Sequence, residues 1–304
     1  MAERVLLTGA GGFVGRAVVA PLLARGVELH AVSRSAARAI PGVTWHRADL
    51  LDEAEARALL REVRPTTLLH AAWYVEHGRF WTSPENARWV EASTALAHAF
   101  AELGGRRMVG LGTCAEYAEV AADDGEPWPE TRALGGGTPY GRAKAELAAR
   151  LLALSPRLSV AWARLFHLFG EGEPAAKLVP DVALSLLAGR EARCGSGRAV
   201  RDYASTRFAG RALAALATGG VTGPVNIASG TGRPMREVIE AIGTITGRPD
   251  LIRLGARPDP AGEVPFMVAD TSRLRREVGF TGTADLHGDL AALVHALRAA
   301  PVAA

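Results

Sequence analysis

The sequence predicts an α/β protein built on a doubly wound parallel sheet, with a smaller, mixed lobe towards the C terminus. First, short apolar runs typical of buried parallel strands alternate with alanine- and leucine-rich helical segments through the first half of the chain. Second, a glycine-rich turn joins the first apolar run to the first helical segment. Third, this alternation stops after about residue 168.

Each predicted element follows from this pattern. Six runs in the first half and a later seventh are predicted as strands: residues 4–8, 28–34, 45–50, 66–72, 106–113, 159–166 and 224–228. A first helix follows the glycine turn and ends before Gly26. The other predicted helices span residues 52–62, 84–103, 140–154, 177–188, 207–218, 235–247 and 287–299.

The change of rhythm also predicts two lobes. The larger lobe is expected to contain residues 1–167 together with the returning segment 201–229. The smaller lobe is expected to contain residues 168–200 and 230–304 and to bind the substrate.

Charge and cysteine content narrow the classes of partner and compartment. The net charge is +3 and the arginines are scattered, so nucleic acid is not a predicted partner, and a small anionic substrate fits better. Cys114 and Cys194 lack metal-ligand spacing, which predicts a reduced compartment and no metal site. Eight residues precede the glycine turn, and no apolar run reaches the roughly 18 residues of a membrane helix. We therefore expect a cytoplasmic protein without a signal peptide or membrane span.

Gly9, Gly12 and Gly15 stand between the first strand and the first helix. Glycine adopts the backbone angles of a tight turn at little cost, and its missing side chain lets a pyrophosphate approach the free N–H groups at a helix N terminus. The turn, with Phe13 and Val14, is therefore predicted to bind a nicotinamide dinucleotide. The alternative is a turn with a structural role alone.

The end of the second strand bears on which dinucleotide binds. An acidic residue there would accept hydrogen bonds from the 2′-hydroxyl of the adenosine ribose. This chain has Ser33 and Arg34 instead, with Arg38 a turn later. Because a guanidinium matches a 2′-phosphate in charge and forked geometry, NADP(H) is favoured over NAD(H). In the alternative, Arg34 is a solvated loop residue and NAD(H) binds.

Tyr140 and Lys144 are predicted to carry the chemistry. They lie four residues apart and share a helix face. A carbonyl reduction needs a proton donor, and the ordinary tyrosine pKa of about 10 is too high for efficient exchange near neutrality. The charge of Lys144 is expected to lower that pKa. Lys144 and Lys177 are the chain's two lysines, which favours a functional role for Lys144 over a chance pair.

These motifs occur in a recognisable order along the chain. The segments GAGGFVG, ADL, HAA, GTCAEY, YGRAK, RLFHLFG, RDY and NIASG resemble the extended short-chain dehydrogenase/reductases, the NAD-dependent epimerase/dehydratase family, over nearly the whole chain. The resemblance implies a Rossmann-type cofactor lobe, a nucleotide-sugar substrate and a homodimer formed through helices 84–103 and 140–154.

The resemblance also assigns residues around the cofactor. Asp49 and Leu50 match the positions that contact adenine, while Ala71 and Ala72 match the strand end beneath the dinucleotide. Lys144 would additionally hydrogen-bond the nicotinamide ribose.

The residues after the fifth strand separate the reactions known in this family. Thr113 matches the hydroxyl that holds the substrate oxygen, although a threonine here can also simply cap a turn. In 4,6-dehydratases the next two positions carry Asp and Glu, which eliminate water from the sugar. Cys114 and Ala115 cannot do this acid–base work. Dehydration is therefore not expected, and these two residues, with Glu116, are predicted to contact the substrate.

Two positions in the later motifs remain open between a ligand contact and a structural role. Arg201 matches an arginine that meets the nucleotide-sugar pyrophosphate, or it forms a surface ion pair. Asp202 would position the neighbouring loop. His167 replaces an asparagine that is usual in the family, and either hydrogen-bonds the substrate or is a satisfied interior histidine.

Aromatic residues are concentrated between residues 73 and 89, after the fourth strand. Because open α/β sheets bind ligands at the carboxyl edge, Tyr74 and Trp81 are predicted to wall the substrate site. Helix packing or a subunit contact is an equally good explanation for Trp89.

The sequence thus predicts NADPH-dependent reduction of a 4-keto nucleotide-activated deoxysugar. Tyr140 is the predicted proton donor, assisted by Lys144 and Thr113. One alternative is a C4 epimerase with tightly bound NAD, and another is a dinucleotide sensor without catalytic activity.

Overall fold

A computed structural model describes residues 3–34, 39–118, 125–155 and 157–299. Its strands are β1 Arg4–Thr8, β2 Glu28–Ser33, β3 Val43–Arg47, β4 Thr67–His70, β5 Arg107–Thr113, β6 Ser159–Leu165, β7 His167–Phe169, β8 Ala192–Arg193, β9 Val200–Ser205, β10 Gly223–Ile227, β11 Gly232–Pro234, β12 Ile252–Arg253 and β13 Phe266–Met267. Its α-helices are α1 Gly15–Leu23, α2 Glu53–Val63, α3 Glu85–Glu102, α4 Pro139–Leu152, α5 Leu178–Leu187, α6 Thr206–Ala217, α7 Met235–Thr246, α8 Ser272–Arg276 and α9 Leu286–Ala299.

The central feature is a seven-stranded sheet in the order β10-β6-β5-β4-β1-β2-β3. Each neighbouring pair is parallel. Apolar side chains of α1 and α6 share one core with one face of the sheet, while those of α2, α3 and α4 pack on the other. The predicted doubly wound, Rossmann-type sheet is confirmed.

The second lobe is built around β9. This strand pairs in parallel with β7 and β13 and antiparallel with β11. A separate apolar core contains side chains of α5, α7 and α9. Within the segment 201–229, which was predicted to return to the large sheet, α6 and β10 pack there, whereas residues 201–205 belong to the small sheet.

Asp202 ties the small sheet to the loop after β10. Its carboxylate accepts hydrogen bonds from the backbone N–H groups of Ser229 and Gly230, both at 2.9 Å. The predicted positioning of a neighbouring loop by Asp202 therefore corresponds to residues 229–230. None of the helices within the described ranges is long and apolar enough to cross a membrane.

Helix α1 is seated against α6 by a backbone contact. A Cβ atom at Gly210 would overlap the carbonyl oxygen of Ala17. Such overpacking of a buried contact forces the two helices apart.

Gly210→Ala is therefore expected to destabilise the protein by about 1–3 kcal/mol, which lowers the thermal midpoint by several degrees. Gly220→Ala is the matched control, because a Cβ atom there has no neighbour within 4 Å. Equal midpoints for the two variants in a thermal unfolding experiment would show that the α1–α6 contact is not close.

Candidate active site

The glycine turn is closed by backbone contacts that leave no room for side chains. Gly9 has φ 66°, and a Cβ atom there would lie 2.8 Å from backbone atoms of Ala71 and Ala72. A Cβ atom at Gly15 would overlap the carbonyl oxygen of Gly9. The helix that follows has no side-chain cap at Val14. Its first N–H groups can therefore donate to an anion, and the turn fits a dinucleotide pyrophosphate.

A cavity of about 880 Å³ extends from this turn along the carboxyl edge of the sheet. All the residues predicted to bind the cofactor lie in its wall: Gly9, Gly12, Phe13, Val14, Gly15, Ser33, Arg34, Asp49, Leu50, Ala71, Ala72, Tyr140 and Lys144. Arg34 is exposed and has no hydrogen bond or ion pair to any described residue. Arg38, also considered for the 2′-phosphate, lies outside the described residues.

The same cavity brings together Thr113, Tyr140 and Lys144. Thr113 ends β5, and α4 presents the other two from one face. The Lys144 ammonium donates to the carbonyl oxygen of Leu111 at 2.8 Å and lies 3.7 Å from the centre of the Trp73 ring. These contacts hold the lysine one helical turn from the tyrosine.

Aromatic side chains fix the position of Tyr140. The rings of Phe80 and Trp81 meet its ring edge-on, with centroids 4.9 Å and 5.6 Å away. The backbone N–H of Tyr140 donates to the carbonyl oxygen of Trp81 at 3.1 Å. Trp81 thus lies in the cavity wall. This position agrees with the sequence prediction that Trp81 forms part of the wall of the substrate site.

Burial dominates the protonation of these groups. The pKa of Tyr140 is raised by burial and then by the electrostatic effects of Glu116 and Cys114, while a hydrogen bond with Thr113 acts in the opposite direction. The predicted lowering of this pKa by Lys144 is therefore wrong, because burial raises the pKa of Tyr140 and Glu116 acts in the same direction. Burial lowers the pKa of Lys144 to about 7, with the charge of Glu116 opposing the shift. Tyr140 accordingly stays a protonated donor throughout the neutral range.

Glu116 lies behind the site rather than in it. Its fully buried carboxylate accepts hydrogen bonds from the backbone N–H of Thr113 at 2.7 Å, from Trp162 Nε1 at 3.0 Å and from Arg164 Nε at 2.9 Å. These bonds turn Glu116 inward, so the predicted substrate contact is corrected to a support beneath Thr113. The Thr113 hydroxyl also caps this turn, accepting from the backbone N–H of Ala115 at 3.2 Å.

Two other predicted substrate contacts are absent from the cavity wall. Tyr74 turns its hydroxyl towards Glu76 Oε2, 2.8 Å away. Arg201 is buried, donates to the carbonyl oxygen of Val200 at 2.9 Å and pairs with Glu263 at 3.4 Å. Both side chains have protein partners, so the prediction that they contact the substrate is not confirmed and stays a prediction.

Cys114, Ala115 and His167 do line the cavity. Burial raises the pKa of the Cys114 thiol to about 12, so this side chain is neutral and no nucleophile near pH 7. The ring of His167 lies 5.5 Å from that of Tyr203, and its buried Nδ1 has no partner among the described residues. Burial, Arg201 and Lys177 lower its pKa to about 3, so the imidazole is neutral.

Sequence reasoning missed a buried histidine beneath the cofactor site. The Thr8 hydroxyl accepts from the backbone N–H groups of Ala71 and Ala72, both at 3.1 Å. Its proton is thus directed to His70 Nδ1, 2.8 Å away, while His70 Nε2 meets Ser93 at 2.9 Å. This series of hydrogen bonds fixes the end of β4. Only the side-chain contacts of the folded protein reveal it.

Glu173 and Lys177 were also missed as cavity residues. The scarcity of lysine was the available signal for Lys177, since both lysines of the chain line the same cavity. Nothing in the sequence distinguishes Glu173 from its neighbour Glu171.

The Rossmann-type sheet, the glycine turn and the Tyr–Lys pair define a nicotinamide-dinucleotide-dependent enzyme. The sequence model of the NAD dependent epimerase/dehydratase family matches residues 5–228. The chain is 30% identical to a dTDP-6-deoxy-L-talose 4-dehydrogenase (NAD(P)(+)) from Kitasatospora kifunensis, covering 99% of this chain and 97% of that protein. It is also 30% identical to a UDP-glucose 4-epimerase from Streptomyces lividans, covering 92% of each chain.

A solved structure shares the fold. The UDP-glucose 4-epimerase of Thermus thermophilus, in complex with NAD, superimposes with a TM-score of 0.84 at 24% identity over 98% of this chain and 100% of that one. The chain belongs to the NAD dependent epimerase/dehydratase family. It is therefore an enzyme that uses a nicotinamide dinucleotide, and the alternative of a sensor without catalytic activity is wrong.

The buried pair of Glu116 and Arg164 predicts a large effect on stability. Glu116→Gln is expected to destabilise the protein by about 3 kcal/mol, because it leaves the buried Arg164 charge without its partner. Denaturant unfolding measures the loss. Glu91→Gln is the control: Glu91 pairs with Arg150 at 2.9 Å, but its side chain is 70% exposed, and no measurable change is expected. Similar midpoints for both variants would contradict the assigned role of Glu116.

Proposed function

We propose that this enzyme uses NADPH to reduce the 4-keto group of a nucleotide-activated deoxysugar. The observation that carries the proposal is the composition of the wall around Tyr140. A protonated phenol and the Thr113 hydroxyl share the cavity with Cys114 and Ala115, neither of which is an acid or base near neutrality. This set can protonate a carbonyl oxygen but cannot eliminate water. A related protein named as a 4-dehydrogenase (NAD(P)(+)) supports redox chemistry at the same carbon.

When bound, the reduced dinucleotide supplies a hydride to the carbonyl carbon. The hydroxyls of Thr113 and Tyr140 hold the carbonyl oxygen while negative charge develops on it. Tyr140 then transfers its proton to that oxygen, which gives the alcohol. Lys144, on the same helix face as Tyr140, would hold the nicotinamide ribose, as the family resemblance implies.

This mechanism predicts a strict need for the Tyr140 hydroxyl. The wild type is incubated with NADPH and a panel of 4-keto nucleotide sugars, and the loss of NADPH absorbance is measured. It is expected to consume one NADPH for each sugar reduced. Tyr140→Phe should lose at least ~100-fold in kcat/KM, because general acid catalysis contributes about that much. Tyr74→Phe, outside the cavity wall, is the control and should retain activity. Full activity of Tyr140→Phe would show that another group donates the proton.

We propose NADPH as the preferred cofactor because the exposed guanidinium of Arg34 lies in the cavity wall and has no partner among the described residues. Arg34→Ala should raise the Kd for NADPH about tenfold or more, the loss of one charge-assisted contact. The Kd for NADH should stay the same. Arg61→Ala, on the exposed side of α2, is the control. Equal weakening of both cofactors by Arg34→Ala would assign Arg34 to another part of the dinucleotide.

A C4 epimerase is the second candidate, favoured by the relatives that carry that name. An epimerase oxidises and then re-reduces its substrate, so it would interconvert nucleotide sugars without net loss of cofactor. The predicted homodimer through α3 and α4 stays a prediction.

A further inference from the structure

The loop between β7 and α5 folds one carboxyl group into the cavity. The Glu173 backbone N–H donates to the carbonyl oxygen of Gly170 at 3.1 Å, which makes a tight turn. The backbone of Gly170 also lowers the pKa of the Glu173 carboxyl. One carboxylate oxygen, Oε2, is buried and has no hydrogen-bond partner among the described residues. A buried acceptor without a donor is costly, so this oxygen points to a ligand.

The surroundings of Glu173 favour an anionic ligand. The loop leans on the glycine turn, where a Cβ atom at Gly172 would lie 2.6 Å from the Arg16 guanidinium. On the other side Lys177 lines the same cavity, and its charge acts on both Glu173 and His167. Lys177 forms no ion pair with any residue that the structure describes. Glu173 thus lies between the phosphate-binding turn and an uncommitted ammonium.

We propose that Glu173 is a proton-coupled ligand for a pyrophosphate group. In the bound state it is a neutral carboxylic acid, and its O–H donates to a non-bridging pyrophosphate oxygen. A carboxylate would instead repel the phosphate, so each molecule in which Glu173 is ionised takes up one proton from solvent when the ligand binds. This inference rests on the proposed function, because the pyrophosphate belongs either to the dinucleotide or to the nucleotide sugar.

The charge balance around Glu173 supports this role. Burial raises the pKa of its carboxyl to about 7, against the opposing effects of Lys177 and the Gly170 backbone. The other groups that face the loop do not change their protonation state near pH 7. His167 is neutral, burial raises the pKa of Tyr203, and the buried Arg201 is paired with Glu263. Near pH 7 the free protein therefore holds about half a proton at Glu173.

Lys144 also titrates near pH 7 in the same cavity, so the test is a difference between matched variants. Calorimetric binding at pH 7 in two buffers of different ionisation enthalpy gives the number of protons taken up. NADH, UDP-glucose and dTDP-glucose are the probes, because their esterified pyrophosphates do not titrate in this range. Glu173→Gln imitates the neutral acid, and Glu171→Gln, an exposed neighbour in the same loop, is the control.

On ligand binding, Glu173→Gln should take up about half a proton less than either the wild type or Glu171→Gln. This difference is expected because Glu173 is half-protonated in the free protein and fully protonated in the complex. Between pH 7 and 8.5 the Kd of Glu171→Gln should rise about 15-fold through the ionisation of Glu173, and Glu173→Gln should lack this rise. Loss of uptake with NADH alone assigns the cofactor pyrophosphate, and loss with a nucleotide sugar alone assigns the substrate. Normal binding with unchanged uptake for all probes overturns the role of Glu173 and leaves the proposed reductase intact. If the wild type binds none of the probes, the role of Glu173 fails, while the proposed reductase is tested separately by NADPH consumption with 4-keto nucleotide sugars.

A second measurement does not depend on the stability of the variant. In a ¹³C NMR titration of wild-type side-chain carboxyls, one glutamate should titrate near pH 7 in the free protein and stay protonated through pH 8 when the ligand is bound. A resonance that titrates unchanged in the complex would overturn the proposal.

Discussion

Close backbone contacts around α1 are the constraint on which the site depends. At Gly9, Gly15 and Gly210 a side chain would collide with the backbone of a neighbouring strand end, of the turn itself, or of α1. Because all three positions lack a Cβ atom, the helix begins directly above the carboxyl ends of β1 and β4. Its first residues, Val14 and Gly15, then line the cavity without a side-chain cap, an arrangement that fits a phosphate.

A second layer of buried polar groups supports the proposed catalytic residues from beneath the sheet edge. Glu116 holds the backbone at Thr113, and the chain from Thr8 through His70 to Ser93 holds the strand end at Ala71. These buried groups form hydrogen bonds of fixed geometry with one another instead of with water. The bonds make the cavity wall rigid. They also influence its charge: burial keeps Tyr140 protonated, the carboxylate of Glu116 acts in the same direction, and this carboxylate opposes deprotonation of Lys144. A protonated phenol is the form that a reductase requires.

Local patterns predicted the sheet, the helices and the cofactor wall, because strand and helix periodicity and glycine spacing act over a few residues. The structure differed from the sequence prediction where contacts between residues distant in sequence determine the direction of a side chain. Glu116 and Arg201 match motif positions, yet each forms an ion pair with a residue that is distant in sequence, Arg164 and Glu263 respectively. The predicted direction of the Tyr140 pKa shift was wrong for the same reason. Desolvation of the phenol depends on the whole fold rather than on a lysine four residues away. Glu173 carries no sequence signal, because its burial arises from a turn made by its own backbone.

The central claim is net hydride transfer from NADPH to a sugar carbon. A single turnover with NADPH deuterated at the transferred position and a 4-keto-6-deoxy nucleotide sugar tests it directly. The account predicts one deuterium at C4 of the product and one equivalent of NADP⁺. An epimerised sugar without deuterium, formed while the NADPH remains unconsumed, would contradict it.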